Sequence, residues 1–157
     1  MDVIIETPKG SNIKYAWDEK QSKYRAKKLL GRGLTFPYDF GFIPGTLGED
    51  GDPLDVMVIS EASAYPGVVV DVRIIGCIRV KQSRDHPLIR NDRYLGIPIF
   101  SREYEPIKDI GIFPDYLLQE IISFLRDYVE AGGKKIIIEG LINAEDAMKE
   151  IMAQTVS

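Results

Sequence analysis

The chain has little of the chemistry that depends on sulfur or imidazole, since its 157 residues include one cysteine and one histidine. Cys77 lies in an apolar run, so we expect a small core residue and no disulfide within the chain. His86 lies in a predicted loop, and a zinc site would need further nitrogen or sulfur ligands. The same scarcity argues against a Ser–His–Asp or Cys–His catalytic arrangement. The single cysteine fits a reducing compartment.

Features typical of membrane and nucleic-acid proteins are also missing. No apolar run approaches the length of a membrane span, and the N-terminus has no secretory signal pattern. The net charge is −4, and no basic and aromatic run marks a nucleic-acid surface. A glycine-rich phosphate loop, G-x-x-x-x-G-K-[ST], does not occur, so any phosphate must be bound by side chains. We therefore expect a soluble, cytoplasmic protein.

What the chain does have is one strongly acidic turn. The run Asp50-Gly51-Asp52-Pro53-Leu54-Asp55 places three carboxylates within six residues. Carboxylates this close repel one another unless a cation lies among them or one of them keeps its proton. Mg²⁺ is commonly held by one or two protein carboxylates, with waters and substrate phosphates completing its shell. The turn therefore predicts a metal site that handles a phosphorylated ligand.

Two other interpretations of this turn are possible. Gly, Asp and Pro also form ordinary solvated turns. A helix–loop–helix calcium site would use Asp50, Asp52 and Glu61 at loop positions one, three and twelve, but position six is Asp55, where glycine is needed. The apolar run that follows, 56–59, predicts a buried strand where a calcium hand has a helix. We reject the calcium hand on these grounds.

The hydrophobic pattern predicts strands first and helices last. The predicted strands are 3–6, 12–17, 35–43, 54–60, 67–80, 94–100 and 135–141. One predicted helix runs from a start signal at 114–115 to a stop at the glycine pair 132–133, and a second runs from 144 to about 153. The first two strands are expected to form a hairpin through 9–11, and Gly76 predicts a bulge or barrel corner. This order predicts one domain, 1–157, of the mainly β, α+β class. We expect an OB-like β-barrel with two helices from the C-terminal half packed outside it.

Cleaving a phosphoanhydride requires neutralised oxygens, an activated water and a stabilised leaving group. The acidic turn could hold the metal. Glu6, at a strand end, and Asp92, flanked by arginines, are further candidate acids, although either could simply be solvated. Cations that could contact phosphate are Lys14, Arg25, Lys27, Lys28, Arg90 and Arg93. A single Lys or Arg is more often an ordinary surface residue, so only the convergence of these cations on the acidic turn would make a site.

Over nearly its full length the chain resembles the family I soluble inorganic pyrophosphatases. The turn 50–56 matches that family's D-x-D-P-x-D-x motif. The aromatic segment 36–44 and the stretch 46–49 match the preceding residues in order and spacing. The opening segment around Glu6 and Lys14, Tyr128 and the strand end 138–140 also match.

The resemblance implies a five-stranded barrel and Mg²⁺-dependent hydrolysis of diphosphate to two phosphates. Family roles transfer as expectations: Asp50 and Asp55 as metal ligands, and Asp52 as acceptor of the proton of a metal-bridging water. Glu6 would hold an outer metal through water, and Lys14 and Tyr128 would contact phosphate. Bacterial members are commonly oligomers of one chain, often hexamers, so we expect a homo-oligomer that acts on a small molecule.

The chain departs from the pattern of typical bacterial members in the half of the site away from the acidic turn. Typical members have an acid where this chain has Ala16, and an arginine where it has Lys28. They have tyrosines in place of Phe36 and Phe40, and a lysine in place of Val129. In the later loop His86, Pro87 and Asn91 stand where acids are usual. The resemblance to a divergent branch with an R-N-D-R run implies that Asp92 replaces the missing metal ligand. It likewise implies that Arg25 or Arg93 replaces the missing cation, with Lys28 also binding substrate.

Three hypotheses follow. The first is an Mg²⁺-dependent inorganic diphosphatase with Asp52 as proton acceptor. The second is a hydrolase of an organic diphosphate, whose added group the loop 82–93 would accept. The third is a homologue that binds diphosphate with impaired catalysis, because a fold does not fix a function. Comparing turnover of diphosphate and nucleoside diphosphates separates the first two.

Overall fold

The computed structural model describes residues 1–156, which form nine strands, two α-helices and one short 3-10 turn at Ile110–Ile112. The strands are β1 Asp2–Thr7, β2 Ile13–Asp18, β3 Lys23–Leu29, β4 Asp39–Ile43, β5 Leu54–Val58, β6 Val69–Ser83, β7 Ile89–Arg90, β8 Arg93–Pro98 and β9 Lys135–Asn143. The helices are α1 Asp115–Ala131 and α2 Ala144–Ala153.

Five strands close into a ring. The pairing order is β1–β4–β5–β8–β6, and β6 pairs back onto β1. The β5–β8 pairing is parallel, and the other four ring pairings are antiparallel. Closure removes the exposed strand edges that an open sheet would present. The predicted mainly β fold, an OB-like five-stranded ring with two helices, is confirmed.

The long strand β6 connects the ring to the rest of the protein. Its first residues pair with β1, its middle with β8, and its second half with β9. The register against β8 shifts between Ile74 and Gly76, and Gly76 has a φ of 155°. The bulge predicted at Gly76 is therefore present, and it lets one strand serve both the ring and the outer sheet.

Side chains alternate between two hydrophobic clusters. One cluster takes residues from all five ring strands, including Val56 and Val58 of β5, and α2 packs against it through Ala147 and Ile151. The second cluster takes the residue between them, Met57, and packs beneath α1. Successive strand residues point to opposite faces, so β5 is buried on both. This explains its continuous apolar run.

Both helices begin and end where the sequence predicts. Pro114 is the N-cap residue of α1, Asp115 lies in the first turn, and Gly132 follows the last residue. The Asn143 side chain caps α2 by accepting a hydrogen bond from the Asp146 amide at 2.8 Å. Within residues 1–156, no helix combines the length and hydropathy that a membrane span requires.

Two predictions about the first third of the chain are wrong. The expected hairpin of β1 with β2 does not form, because β2 pairs with β3 while β1 pairs with β4 and β6. The Thr7 hydroxyl instead links β1 to β2, donating to the Tyr15 carbonyl at 2.9 Å and accepting from its amide at 3.1 Å. The strand expected from residue 35 begins at Asp39, since Phe36 lies in a buried connecting segment.

We predict that Gly76→Ala destabilises the protein. A β-carbon at Gly76 would lie 2.6 Å from the Ile110 side chain and 2.7 Å from the Ile142 carbonyl oxygen. We expect the free energy of unfolding in urea to fall by roughly 2 kcal/mol. Gly31→Ala is the control, since nothing lies within 4 Å of a β-carbon there. Equal stability of the two variants would contradict the account of the bulge.

Candidate active site

The acidic turn joins β4 to β5 and is held by its own backbone. The Gly48 amide donates to the Asp52 carbonyl at 2.8 Å, and the Asp52 amide donates to Asp50 Oδ1 at 3.1 Å. Gly51 has a φ of 89°, a conformation that glycine adopts without strain. The Thr46 hydroxyl accepts from the Leu54 amide at 3.0 Å, where β5 begins. Asp50 and Asp52 are therefore exposed on the turn, while Asp55 lies one residue inside the strand.

Asp55 faces Arg93 across the parallel β5–β8 pair. Their charged groups are 3.7 Å apart, with the Arg93 side chain 5% exposed and that of Asp55 33% exposed. Arg93 also donates to Gln82 Oε1 at 3.1 Å and to the Asn91 carbonyl. Its Nε is buried with no hydrogen-bond partner among the described residues. Arg93 is thus a buried cation directly behind the acidic turn.

Glu6, at the end of β1, joins the same acidic group. Its Oε2 accepts a hydrogen bond from the Trp17 amide at 2.9 Å. Burial, the main cause, and the nearby charges of Asp55 and Asp52 raise the pKa of Glu6, and the net result is a value of about 7. The Trp17 amide and Lys14 act in the opposite direction. Glu6 is therefore a carboxyl that an added cation would stabilise in its charged form.

The same causes raise the pKa of Asp50 and of Asp55. Each carboxyl is partly removed from solvent, which raises its pKa, and the neighbouring carboxylates of the turn raise it further. Arg93 offsets part of this rise for both residues. Within residues 1–156 no group of three or more acidic, histidine or cysteine side chains is arranged to hold a metal ion by itself. Mg²⁺ does not require one, because it retains waters and substrate oxygens. The donor set, oxygen-only and short of positive charge, fits such an ion.

This acidic group opens into a cavity of about 1210 Å³. Glu6, Asp50, Asp52 and Asp55 lie at one end of it. Glu19 and many uncharged residues also line the cavity, together with these cations and aromatic groups: Lys14, Lys27, Lys28, Arg84, Arg93, Lys134, Phe36, Phe40 and Tyr128. Carboxylates for a metal and cations for phosphate oxygens therefore share one enclosure, as phosphoryl chemistry requires.

Lys14 and Lys28 both lie over the ring of Tyr128. Their Nζ atoms are 5.7 Å and 4.5 Å from its centroid. Tyr128 is fixed by packing against Phe36 and Phe124, with ring centroids 5.4 Å and 5.5 Å away. Burial lowers the pKa of Lys14, but Tyr128, Asp55 and Glu6 outweigh it and the net change is upward. Lys14 therefore stays protonated between the aromatic wall and the carboxylates.

Two residues predicted for the site, Arg25 and Asp92, do not line this cavity. Arg25 is paired with Asp18 at 2.8 Å across the β2–β3 hairpin and does not line the cavity. Asp92 accepts from Arg79 and Arg90, each at 3.0 Å, and from a backbone amide at 2.9 Å. Both of its oxygens are engaged in this network. Asp92 does not line the large cavity, but it lines a small neighbouring pocket together with Asp50 and Asp55. The substrate role of Arg25 and the metal role of Asp92 stay predictions.

Sequence reasoning missed two cations that line the cavity, Arg84 and Lys134. Arg84 follows the end of β6, and Lys134 follows the glycine pair that ends α1. These segments are 50 residues apart in the sequence, and only the fold brings them together. Neither residue carries a local sequence signal that would have identified it.

Comparison with known proteins agrees with this geometry. The family model described as inorganic pyrophosphatase matches residues 3–156. The chain belongs to the inorganic pyrophosphatase family. An inorganic pyrophosphatase from Sulfolobus acidocaldarius is 38% identical over 154 residues, covering 96% of this chain and 87% of the relative. One from Mycoplasma pneumoniae is 35% identical over 150 residues, covering 96% and 79%.

Solved structures of the family have the same fold. The crystal structure of the inorganic pyrophosphatase from Thermus thermophilus matches with a TM-score of 0.90 and 34% identity, covering 98% of this chain and 88% of that one. An inorganic pyrophosphatase from Helicobacter pylori matches with a TM-score of 0.90 at 29% identity, covering 98% and 90%. The pyrophosphatase resemblance seen in the sequence is confirmed.

We predict a pH-dependent stability that comes from Glu6. Its folded-state pKa of about 7 lies above the ordinary 4.5, so its contribution is fully present below pH 4.5 and is lost as the pH rises through 7. In metal-free protein, the free energy of unfolding should therefore fall between these values relative to Glu6→Gln. Urea titrations in a chelating buffer measure this difference.

The control for this measurement is Glu130→Gln, an exposed carboxyl on α1. Its stability should follow the wild-type curve across the same pH range. A Glu6→Gln curve parallel to the wild type would contradict the electrostatic account of Glu6.

Proposed function

We propose that this chain hydrolyses inorganic diphosphate to two phosphates with Mg²⁺. The observation that carries the proposal is the shared cavity, in which Asp50, Asp52 and Asp55 face a wall of cations. Family membership supports the same activity. The reaction adds water to one phosphorus and breaks its bond to the bridging oxygen, so it needs no other co-reactant.

The proposed metal residues are Asp50 and Asp55, with Glu6 acting through water. Bound Mg²⁺ would lower the pKa of water and neutralise charge on the substrate. Arg93 favours the charged form of Asp55 through their 3.7 Å contact, and so offsets part of the rise that burial causes in the pKa of Asp55. Lys14, Lys28 and Tyr128 bind the nonbridging oxygens of diphosphate, since lysine supplies a point charge and tyrosine a directed donor.

Asp52 is the proposed proton acceptor for the attacking water. It is exposed on the turn and its side chain makes no ion pair within residues 1–156, so its oxygens are free to take a proton. Its backbone, by contrast, is fixed by hydrogen bonds to Gly48 and Asp50. A group fixed in position with an unoccupied carboxylate suits general base catalysis.

We predict that Asp52→Asn lowers the rate of phosphate release from diphosphate by roughly 10²- to 10⁴-fold, the usual contribution of a general base. The thermal melt should be unchanged, because an amide replaces a carboxylate on an exposed turn. Asp127→Asn, an exposed position on α1 that does not line the cavity, is the matched control. An unchanged rate in Asp52→Asn would rule out its role.

We also predict that phosphate release depends on a divalent cation. Dialysis against EDTA should abolish release, and Mg²⁺ should restore it. Asp50→Asn should raise the Mg²⁺ concentration needed for half-maximal release, since one carboxylate ligand is lost. Undiminished release in EDTA would contradict the metal role of the turn. Comparable turnover of nucleoside diphosphates would instead favour an organic diphosphate as substrate.

Oligomerisation and cellular location also belong to this proposal. We infer a cytoplasmic homo-oligomer, a hexamer by family resemblance. Supporting it are large apolar side chains exposed on the single chain, including Ile99 at 64%, Ile112 at 63% and Met152 at 65% exposure. Such side chains are commonly covered in an interface between subunits.

A further inference from the structure

Three cations, Lys28, Arg84 and Lys134, gather where the end of α1 forms the cavity wall. Lys28 and Arg84 lie next to Gly132 and Gly133, the glycine pair after α1, and Lys134 follows that pair in the sequence. A β-carbon on Gly132 would lie 3.3 Å from Lys28 Nζ. One on Gly133 would lie 2.9 Å from Arg84 Nη1. Lys14 lies next to this group, with its Nζ 5.7 Å from the centroid of the Tyr128 ring.

These cations have no acidic partners. Within residues 1–156, none of Lys14, Lys28, Arg84 and Lys134 forms an ion pair, although eight other basic groups do. They also repel one another: burial lowers the pKa of Lys28, and Lys14, Lys134 and Arg84 lower it further. Like charges held together at a cavity wall are stabilised by an anion.

Groups of opposite charge therefore line different parts of the cavity. Carboxylates lie at one end, and unpaired cations lie at the other. Lys14 lies between them, since Tyr128 on one side and Asp55 and Glu6 on the other all act on its pKa. A ligand with two linked phosphoryl groups can place one group at each end. The end beside the carboxylates would receive the group that shares the metal.

We propose that Arg84 and Lys134 are substrate-binding residues, which contact the phosphoryl group of diphosphate that lies farther from the acidic turn. This inference rests on the proposed function. Arg84 suits two-point contact with phosphate oxygens, whereas Lys134 supplies a point charge. Arg25 is unsuited to this role because Asp18 engages it. Val129, the residue after Tyr128, lines the same wall but carries no charge.

The test compares Arg84→Gln, Lys134→Gln and the double variant with Lys149→Gln. Lys149 is an exposed lysine on α2, 69% exposed and outside the cavity, so its variant controls for the change in net charge. Two readouts are used: kcat and KM for diphosphate, and calorimetric binding of methylenediphosphonate, which cannot be hydrolysed. Thermal melts check that each variant folds.

We expect each single variant to lower kcat/KM and analogue affinity by roughly tenfold, and the double variant to lower both further, since charge-assisted contacts are lost. Arg84→Lys should recover part of the loss. Variants that match Lys149→Gln in both readouts would overturn the inference, and the two cations would then be ordinary solvated side chains.

The calorimetric readout separates this inference from the proposed function. If the wild type binds methylenediphosphonate without hydrolysing diphosphate, and the variants bind it more weakly, the inference holds and the proposed hydrolysis fails. If the wild type hydrolyses diphosphate and the variants are unaffected, the proposed function holds and the inference fails. A wild type that binds neither ligand would overturn both.

Discussion

The contact between Asp55 and Arg93 joins the fold to the candidate site. The two residues oppose each other in the parallel β5–β8 pair, which completes the ring of strands. Arg93 is buried, so its charge must be balanced nearby, and Asp55 supplies that balance at 3.7 Å. The acidic turn ends where β5 begins, so the register that sets this contact also sets the position of the turn above the ring. A shift of one residue in β5 would turn Asp55 away from Arg93.

The second organising feature is the separation of charge within one cavity. Carboxylates that raise one another's pKa lie at one end, and cations that lower the pKa of Lys28 lie at the other. The two groups are carried by different elements, and among the cavity cations only Arg93 forms an ion pair with a carboxylate of the turn within residues 1–156. The ring strands and the acidic turn hold the acids, while β3, the end of β6 and the end of α1 hold most of the cations. Both groups are therefore left available for a metal and an anion.

Local features of this protein could be predicted from its sequence, whereas long-range ones could not. The acidic turn, the bulge at Gly76 and both helices depend on neighbouring residues, and all of them are present as expected. The partner of β2 was mistaken because strand pairing is chosen by the whole sheet and by side-chain links such as that of Thr7. Arg84 and Lys134 were missed for the same reason, since the fold brings distant segments to one wall. Glu6, Lys14 and Tyr128 were identified through the family resemblance, and they line the cavity.

The most direct test of the charge-separated cavity is a crystal structure of the protein grown with Mn²⁺ and methylenediphosphonate. Anomalous scattering would locate the metal independently of any assumption about its ligands. The account predicts metal peaks beside Asp50 and Asp55, with one phosphonate sharing the metal and the other beside Lys28, Arg84 and Lys134. Metal peaks away from the acidic turn, or an analogue that lies outside the cavity, would contradict it.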